Sequence, residues 1–206
     1  GSFSNKQQGE QMYYRFVSLF CICSVYVIGG FAVDGIASDG FQRTSFDSPK
    51  QVAEHWDARN QEGKKIVHSK LKGSPCVIVL FRGHGCYHCV KQLGEIVEIE
   101  SRFRSRGVRL IAVSDESVEE MGKALRNRPL PFPVLSDVRS KLARFLGSDK
   151  IENWHGILIL DSNGEARWLL CGSKPLMDFR EVLSQIDSLQ LSTTPLETHG
   201  LESRVD

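Results

Sequence analysis

The chain has 206 residues, of which 41% are hydrophobic and 25% charged, and 26 basic side chains oppose 25 acidic ones for a formal net charge of +1. This length suits a single globular domain with extensions. Acidic and basic residues are balanced, and no stripe of basic residues stands out. Charge therefore gives no reason to expect a nucleic-acid partner or binding to an anionic membrane surface.

The amino-terminal part divides into a polar extension, residues 1–11, and an apolar segment, residues 12–37. After Arg15 no charged side chain occurs before Asp34, and small residues follow. This pattern is typical of a secretory signal peptide cleaved before Ser38. The apolar run of about 18 residues also lies at the lower limit for spanning a bilayer, so an uncleaved membrane anchor and a buried core helix stay open as alternatives. A signal peptide or an anchor would make the downstream domain exported, periplasmic or otherwise extracytoplasmic, with membrane contact only through this segment.

The remaining chain is expected to hold three segments. They are a linker (38–47), a folded domain (48–190) and a tail poor in apolar residues and expected to be disordered (191–206). The first predicted element of the domain is a helix with Pro49 at its first position, which ends near Asn60. A weak strand signal follows at Ile66 and Val67.

A strand-to-helix corner holds two cysteines three residues apart. Residues 77–81 are apolar and rich in β-branched types, which predicts a buried strand, residues 82–85 form a tight turn, and a helix begins at Cys86. A helix amino terminus favours a thiolate over a thiol, so Cys86 is predicted to be the exposed, activated cysteine. Cys89 lies one turn deeper and can attack a mixed disulfide on Cys86. If protonated, His88 would lower the pKa of Cys86 further.

The CxxC pattern has two other interpretations, half of a structural zinc site and a pair of inert thiols. Structural zinc usually needs a second ligand pair at defined spacing, and no further CxxC or HxxxH follows. Of the other cysteines, Cys21 and Cys23 lie in the apolar segment, and Cys76 is expected in the core. Cys171 is also expected to be a buried core cysteine, with a role as a third, resolving thiol as the alternative. A redox-active disulfide is therefore favoured, with no cofactor beyond the disulfide itself.

Downstream of the corner, helical and extended patterns alternate with short connections. The predicted elements are the rest of the CxxC helix to about Phe103, a strand at 108–113, a helix at 117–127, an extended edge segment at 130–137, a helix at about 138–145, a strand at 157–160, a hairpin strand at 166–170 and a last helix that opens at Pro175. This order predicts an α/β fold with parallel strands and right-handed crossovers.

The order of elements resembles the thioredoxin-like fold, a three-layer α/β arrangement with a central mixed β-sheet flanked by helices. Three phrases resemble the alkyl hydroperoxide reductase/thiol-specific antioxidant branch, which includes peroxiredoxin-like redoxins. They are FRGHGCYHC at 81–89, FPVLSD at 132–137 and WHGILILDSNG at 154–164. The resemblance covers roughly Gly73 to Leu189 and implies a thiol-dependent oxidoreductase.

Two positions depart from the peroxidase pattern of that branch. Peroxiredoxins carry Thr or Ser three residues before the attacking cysteine, whereas this chain has Gly83, and they carry an Arg where this chain has His155. Thioredoxins place a cis-proline near the latter position. Disulfide exchange by the Cys86 and Cys89 pair is therefore the first expectation. The alternative, which the resemblance implies, is a peroxidase in which Cys86 is oxidised to sulfenic acid and Cys89 or Cys171 resolves it. Expected partners are a protein thiol or disulfide or a small hydroperoxide, together with a reductant or oxidant protein.

Other side chains are expected to support the two thiols. Arg82 is a candidate to stabilise the Cys86 thiolate. Two roles stay open for Trp154, an apolar wall against which a substrate peptide docks and simple packing. His155 is most simply a polar residue of the cleft. As a further alternative, Cys86, Cys89 and His155, with His84 or His88, form a donor set suited to copper or zinc. The predicted site also includes Tyr87.

Overall fold

In the computed structural model, the described residues are 39–51, 56–142 and 155–191, with only the backbone described at 47–51. All of them belong to one compact unit. The polar extension, the predicted signal or anchor segment and Trp154 lie outside these ranges, as does the tail after Leu191. Within the ranges, no helix combines the length and the apolar character that crossing a membrane requires.

Eight strands form one mixed sheet in the order β1-β8-β7-β4-β5-β6-β2-β3. Their bounds are β1 Phe41–Gln51, β2 Asp57–Arg59, β3 Lys65–Val67, β4 Cys76–Phe81, β5 Arg109–Ser114, β6 Val134–Ser136, β7 His155–Leu160 and β8 Glu165–Gly172. Strands β4, β5 and β6 run parallel to one another. Strand β7 pairs antiparallel with β4, and β8 and β1 continue the antiparallel half of the sheet.

Three helices are described: α1 Tyr87–Arg104, α2 Val118–Asn127 and α3 Arg180–Ser188. Helix α2 begins with a capping box, in which the Ser117 side chain accepts from the Glu120 N–H while the Glu120 carboxylate accepts from the Ser117 N–H. This reciprocal pair satisfies two backbone donors that a helix start leaves open. A short 3-10 helix, His68–Leu71, precedes β4.

Strand β4 lies at the centre of two hydrophobic clusters because all six of its residues are buried. Its odd-numbered residues, such as Val77 and Val79, pack with side chains of α1, α2 and α3. Its even-numbered residues, such as Ile78 and Leu80, pack with Trp56 and with residues of the β2–β3 region on the opposite face. A strand buried on both faces has an uninterrupted apolar sequence, which is what made β4 recognisable.

Four sequence predictions about these elements are wrong. The predicted linker is in strand conformation from Phe41, where β1 pairs with β8. The helix expected from Pro49 to about Asn60 is absent from the described residues of that range, because β1 extends to Gln51 and β2 covers Asp57–Arg59. The segment expected at a sheet edge forms β6, which lies between β5 and β2 because its prolines precede the three paired residues. The last helix begins at Arg180 and not at Pro175.

Candidate active site

The site lies at the end of the central strands, where the parallel strands β4, β5 and β6 finish and the antiparallel strand β7 begins. Leu80 near the end of β4 pairs with Gly156, so His155 lies beside the turn that follows β4. The turn after β5 carries Glu116, which reaches the same end of the sheet. Carboxyl ends of parallel strands are common positions for functional residues, since neighbouring loops converge there.

Cys86 is the N-cap residue of α1. Its backbone is extended, with φ −91° and ψ 105°, and its Sγ accepts a hydrogen bond from the Cys89 N–H at 3.3 Å. The two cysteines form a disulfide with their Cα atoms 5.2 Å apart. Cys86 is half-buried, whereas Cys89 is fully buried. The predicted strand-to-helix corner is therefore present, and the more accessible sulfur faces the partial positive charge of a helix start.

His155 contacts the buried sulfur. Its Nε2 lies 3.2 Å from Cys89 Sγ, and the residue is only 5% exposed. Its Nδ1 has no hydrogen-bond partner among the described residues. Burial, and secondarily the positive charge of Arg82, lowers the pKa of His155 below its usual value, while a backbone contact with Ser173 opposes this weakly. The imidazole is therefore held in its neutral form, with one nitrogen facing sulfur.

The turn before Cys86 is fixed by Glu116. Its Oε1 accepts from the His84 backbone N–H at 2.7 Å, and its Oε2 lies 2.8 Å from His84 Nδ1. Ser136 Oγ donates to the Glu116 carbonyl oxygen at 2.5 Å, which fastens this segment to β6. Gly83 has φ +106°, and a Cβ at that position would lie 2.4 Å from Glu116 Cδ. Only glycine fits there, so the hydroxyl that peroxiredoxins carry three residues before the cysteine has no room in this turn.

The remaining predicted site residues surround the corner at different depths. Tyr87 is 77% exposed and stacks edge-on with the exposed His88 at a ring-centroid distance of 5.4 Å. Arg82 is exposed. His84 is half-buried, and Glu116 occupies its Nδ1. None of these four side chains forms a hydrogen bond with the sulfur of Cys86 or Cys89.

Cys171 is buried and lies on the opposite face of the sheet from Cys89. It pairs with Gly156 and packs on the side of Leu169, whereas His155 and Cys89 lie on the side of Leu170. Cys171 is therefore a buried residue that the sheet separates from the disulfide, which disfavours the alternative role of a third, resolving thiol. Adjacent residues of a strand point to opposite faces, which is why Cys171 faces away from the disulfide although it lies near the same end of the sheet.

Cys76 is fully buried at the start of β4. Burial raises the pKa of its thiol to about 12. Neither its position nor its ionisation is suited to thiol chemistry, since the thiolate is the reactive form.

Glu116 is the residue of the site that the sequence reasoning did not identify. It follows β5 directly, and β5 is the parallel neighbour of β4. The rule that parallel strands end at one edge would have placed it beside the CxxC turn.

Cys86, Cys89 and His155 are also the residues of this site that offer a compact donor set for a metal ion. One ligand atom from each lies within 4.8 Å of the others. Two sulfurs and one imidazole nitrogen are soft or borderline donors, which suit late transition metals better than Mg²⁺ or Ca²⁺.

The chain is similar to peroxiredoxins and to a thiol-disulfide oxidoreductase. The model of the AhpC/TSA family matches residues 49–169, more than half of the chain. A chloroplastic peroxiredoxin Q of Sedum lineare is 27% identical over 137 residues, which is 64% of this chain and 74% of that protein. The thiol-disulfide oxidoreductase ResA of Bacillus cereus is 26% identical over 126 residues, 61% of this chain and 70% of that protein.

The fold itself matches solved peroxiredoxin structures. The C45S mutant of peroxiredoxin 6 from Arenicola marina superposes with a TM-score of 0.60 at 24% identity, covering 70% of this chain and 74% of that one. This confirms the predicted thioredoxin-like fold with a central mixed sheet. The chain therefore belongs to the AhpC/TSA family, in its thioredoxin-like redoxin and peroxiredoxin branch, and is an oxidoreductase.

Proposed function

We propose that this protein is a thiol-disulfide oxidoreductase in which Cys86 and Cys89 alternate between disulfide and dithiol. One observation carries the proposal: a half-buried cysteine caps α1 and is joined to a fully buried cysteine one turn further on. In such a pair one sulfur meets the substrate and the other resolves the mixed disulfide. The relative named as a thiol-disulfide oxidoreductase supports the same chemistry.

Reduction of a substrate disulfide then proceeds in two exchanges. The Cys86 thiolate attacks one substrate sulfur, which forms a mixed disulfide and expels the other substrate sulfur as a thiolate. Cys89 then attacks Cys86 Sγ, which closes the protein disulfide and releases the second substrate thiolate. Two electrons pass to the substrate, and an external dithiol then reduces the Cys86–Cys89 disulfide with two further electrons and is itself oxidised to a disulfide. Oxidation of a substrate dithiol is the reverse sequence.

The surroundings of each sulfur fit its role. The helix start and the Cys89 N–H, which lies 3.3 Å from Cys86 Sγ, stabilise negative charge on the attacking sulfur. The Cys89 thiol is buried and must lose its proton before it attacks. His155 Nε2, 3.2 Å from that sulfur, is placed to accept this proton.

A thiol peroxidase is the second candidate, supported by the relatives named as peroxiredoxin Q. In that reaction the Cys86 thiolate would take one oxygen from a hydroperoxide, releasing an alcohol or water, and Cys89 would condense with the sulfenic acid and release water. Two features favour disulfide exchange instead. Gly83 leaves no room for the hydroxyl of the peroxidase pattern, and His155, not Arg, lies beside the thiols at Cys89.

We also propose that the domain works outside the cytoplasm. The apolar segment at 12–37 supports this through its resemblance to a signal peptide or anchor. The test is to express the full chain and sequence its amino terminus after cell fractionation. A mature chain that begins at Ser38, or an intact chain in the membrane fraction, is expected; an intact chain in the cytosol would contradict the proposal.

Insulin reduction with dithiothreitol tests the proposed activity. We expect catalysis by the wild type, a loss of at least about 100-fold in Cys86→Ser, and near wild-type rates in the control Cys171→Ser, whose sulfur lies across the sheet. Cys89→Ser should accumulate a mixed disulfide with the substrate, visible by mass spectrometry. Equal rates for wild type and Cys86→Ser would overturn the proposal. Hydroperoxide consumption in the same variants decides the second candidate, since a Cys86-dependent rate well above that of free cysteine would favour the peroxidase.

A further inference from the structure

We propose that the reduced forms of Cys86 and Cys89, together with His155, bind Cu(I) as a three-coordinate site. The three donor atoms lie within 4.8 Å of one another, and two of them, Cys89 Sγ and His155 Nε2, are already 3.2 Å apart. The proposal goes beyond the proposed disulfide exchange, since binding needs the reduced pair but no turnover.

The position of the histidine is the independent observation that points to a ligand. His155 is 5% exposed, its Nε2 lies 3.2 Å from the sulfur of Cys89, and the backbone of Ser173 is a further polar neighbour. A buried imidazole is normally satisfied by oxygen or nitrogen partners, because an unpaired polar group in a protein interior is costly. Here Nδ1 has none within the described ranges and Nε2 meets sulfur. Coordination to a metal would use the Nε2 lone pair.

The number of donors favours Cu(I) over Zn(II). Structural zinc almost always has four ligands, whereas this group supplies three. His84, the nearest candidate in the turn, is held by Glu116 through Nδ1, and His88 is exposed and outside the donor group. Thiolates select Cu(I) among the available ions, and imidazole completes a soft donor set without adding charge.

The reaction balances without any change in the oxidation state of copper. A dithiol reductant first gives two electrons and two protons to the disulfide. Cu(I) then displaces one proton from each thiol to solvent, and two thiolates and one neutral imidazole remain as ligands. Because the metal would occupy the sulfur that attacks substrates, Cu(I) loading and disulfide exchange are mutually exclusive at this site.

The test is an anaerobic titration of the full chain with Cu(I) in competition with the chromophoric chelator bicinchoninate. Cys21 and Cys23, which lie outside the described residues, are replaced by serine. Their thiols would otherwise compete with the proposed site for Cu(I). Cys76 and Cys171 stay in place. We expect one equivalent of Cu(I) on the reduced protein and none held against the chelator by the oxidised protein.

Variants separate the three ligands from their neighbours. In this background, Cys86→Ser and Cys89→Ser should each abolish competitive binding. His155→Ala should weaken it at least about tenfold, while the control His88→Ala should bind like the wild type. Undiminished binding in either serine variant, or wild-type affinity in a folded His155→Ala protein, would overturn the site.

An X-ray absorption spectrum of the Cu(I)-loaded protein that retains His155 tests the role of this residue without requiring that the His155→Ala variant folds. Two sulfurs and one imidazole nitrogen around copper are expected, and sulfur ligands alone would refute the role of His155. Zn(II) that resists displacement by Cu(I) would refute the choice of metal. The insulin assay on metal-free protein is unaffected by any of these results, so failure of this proposal is distinguishable from failure of the proposed function.

Discussion

The turn that carries the attacking cysteine depends on one glycine, and Gly83→Ala tests that dependence. Gly83 has φ +106°, and its Cβ would meet the Glu116 side chain at 2.4–2.7 Å. The same carboxylate holds the His84 N–H at 2.7 Å and His84 Nδ1 at 2.8 Å. A methyl group therefore must either displace Glu116 from both contacts or shift the backbone of the turn.

The expected cost is the sum of two effects. A left-handed backbone costs a residue with a Cβ about 1–2 kcal/mol. Loss of the Glu116 contacts leaves a partly buried N–H and a carboxylate without their partners, which costs roughly 1–3 kcal/mol. We therefore expect Gly83→Ala to lower the free energy of unfolding by about 2–5 kcal/mol.

Urea unfolding of the oxidised protein measures this loss, and Gly85→Ala is the matched control. Gly85 lies in the same turn and is exposed, its φ is not positive, and no atom lies within 4 Å of its would-be Cβ. Its substitution should change stability by no more than about 0.5 kcal/mol. If both variants unfold at the same urea concentration, the argument that Glu116 and the backbone of Gly83 fix this turn is refuted.

Three further outcomes follow from the burial and exposure of single residues. After reduction, iodoacetamide at neutral pH should label Cys86 well before Cys89, as read by peptide mass spectrometry. Above pH 9, the thiol of Cys76 ionises in the unfolded chain but not in the folded protein, where its pKa is about 12. The free energy of unfolding should therefore fall by about 1.4 kcal/mol per pH unit. Urea unfolding of Cys76→Ala should lack this pH dependence. Because Tyr87 is 77% exposed beside the disulfide, Tyr87→Ala should raise the KM for insulin without changing the rate with a small aromatic disulfide.

Each of these outcomes has a result that would contradict it. Faster labelling of the buried Cys89 would mean that the assignment of the two sulfur roles is reversed. The sign for Cys76 follows from its raised pKa in the fold: below pH 9 the thiol is protonated in both states, and above it only the unfolded chain releases the proton. An equal alkaline slope in wild type and Cys76→Ala would therefore be incompatible with its burial. An unchanged KM in Tyr87→Ala would remove Tyr87 from substrate docking.

The parts of the fold that the sequence predicted well are those with strong local patterns. Strand β4 has a continuous apolar run, and helix α1 begins one residue after Cys86, as the turn chemistry indicated. Strand β1 was missed because its sequence, FQRTSFDSPKQ, is polar and contains a proline suited to a helix start. Its strand conformation depends on pairing with β8, which is distant in sequence and which no local pattern reveals.

The site was predicted in its chemistry and only partly in its geometry. The two thiols were found because CxxC at a strand-to-helix corner is a local motif. The position of His155 against Cys89 came from the family resemblance, since it depends on the antiparallel pairing of β7 with β4. The place of Cys171 followed from strand register, which fixes the face of every residue but is not encoded in any short stretch.

The sulfur of Cys86 has a second task, because it is the acceptor for the Cys89 N–H at the start of α1. Every covalent change at this sulfur therefore alters the hydrogen bond that the Cys89 N–H donates to it. Amide hydrogen exchange at Cys89 should report the chemical state of the site directly, with different protection for the disulfide, the free thiolate and an alkylated or metal-bound sulfur. A partner able to sense the mobility of this first helical turn would distinguish the oxidised protein from the reduced one without touching either sulfur.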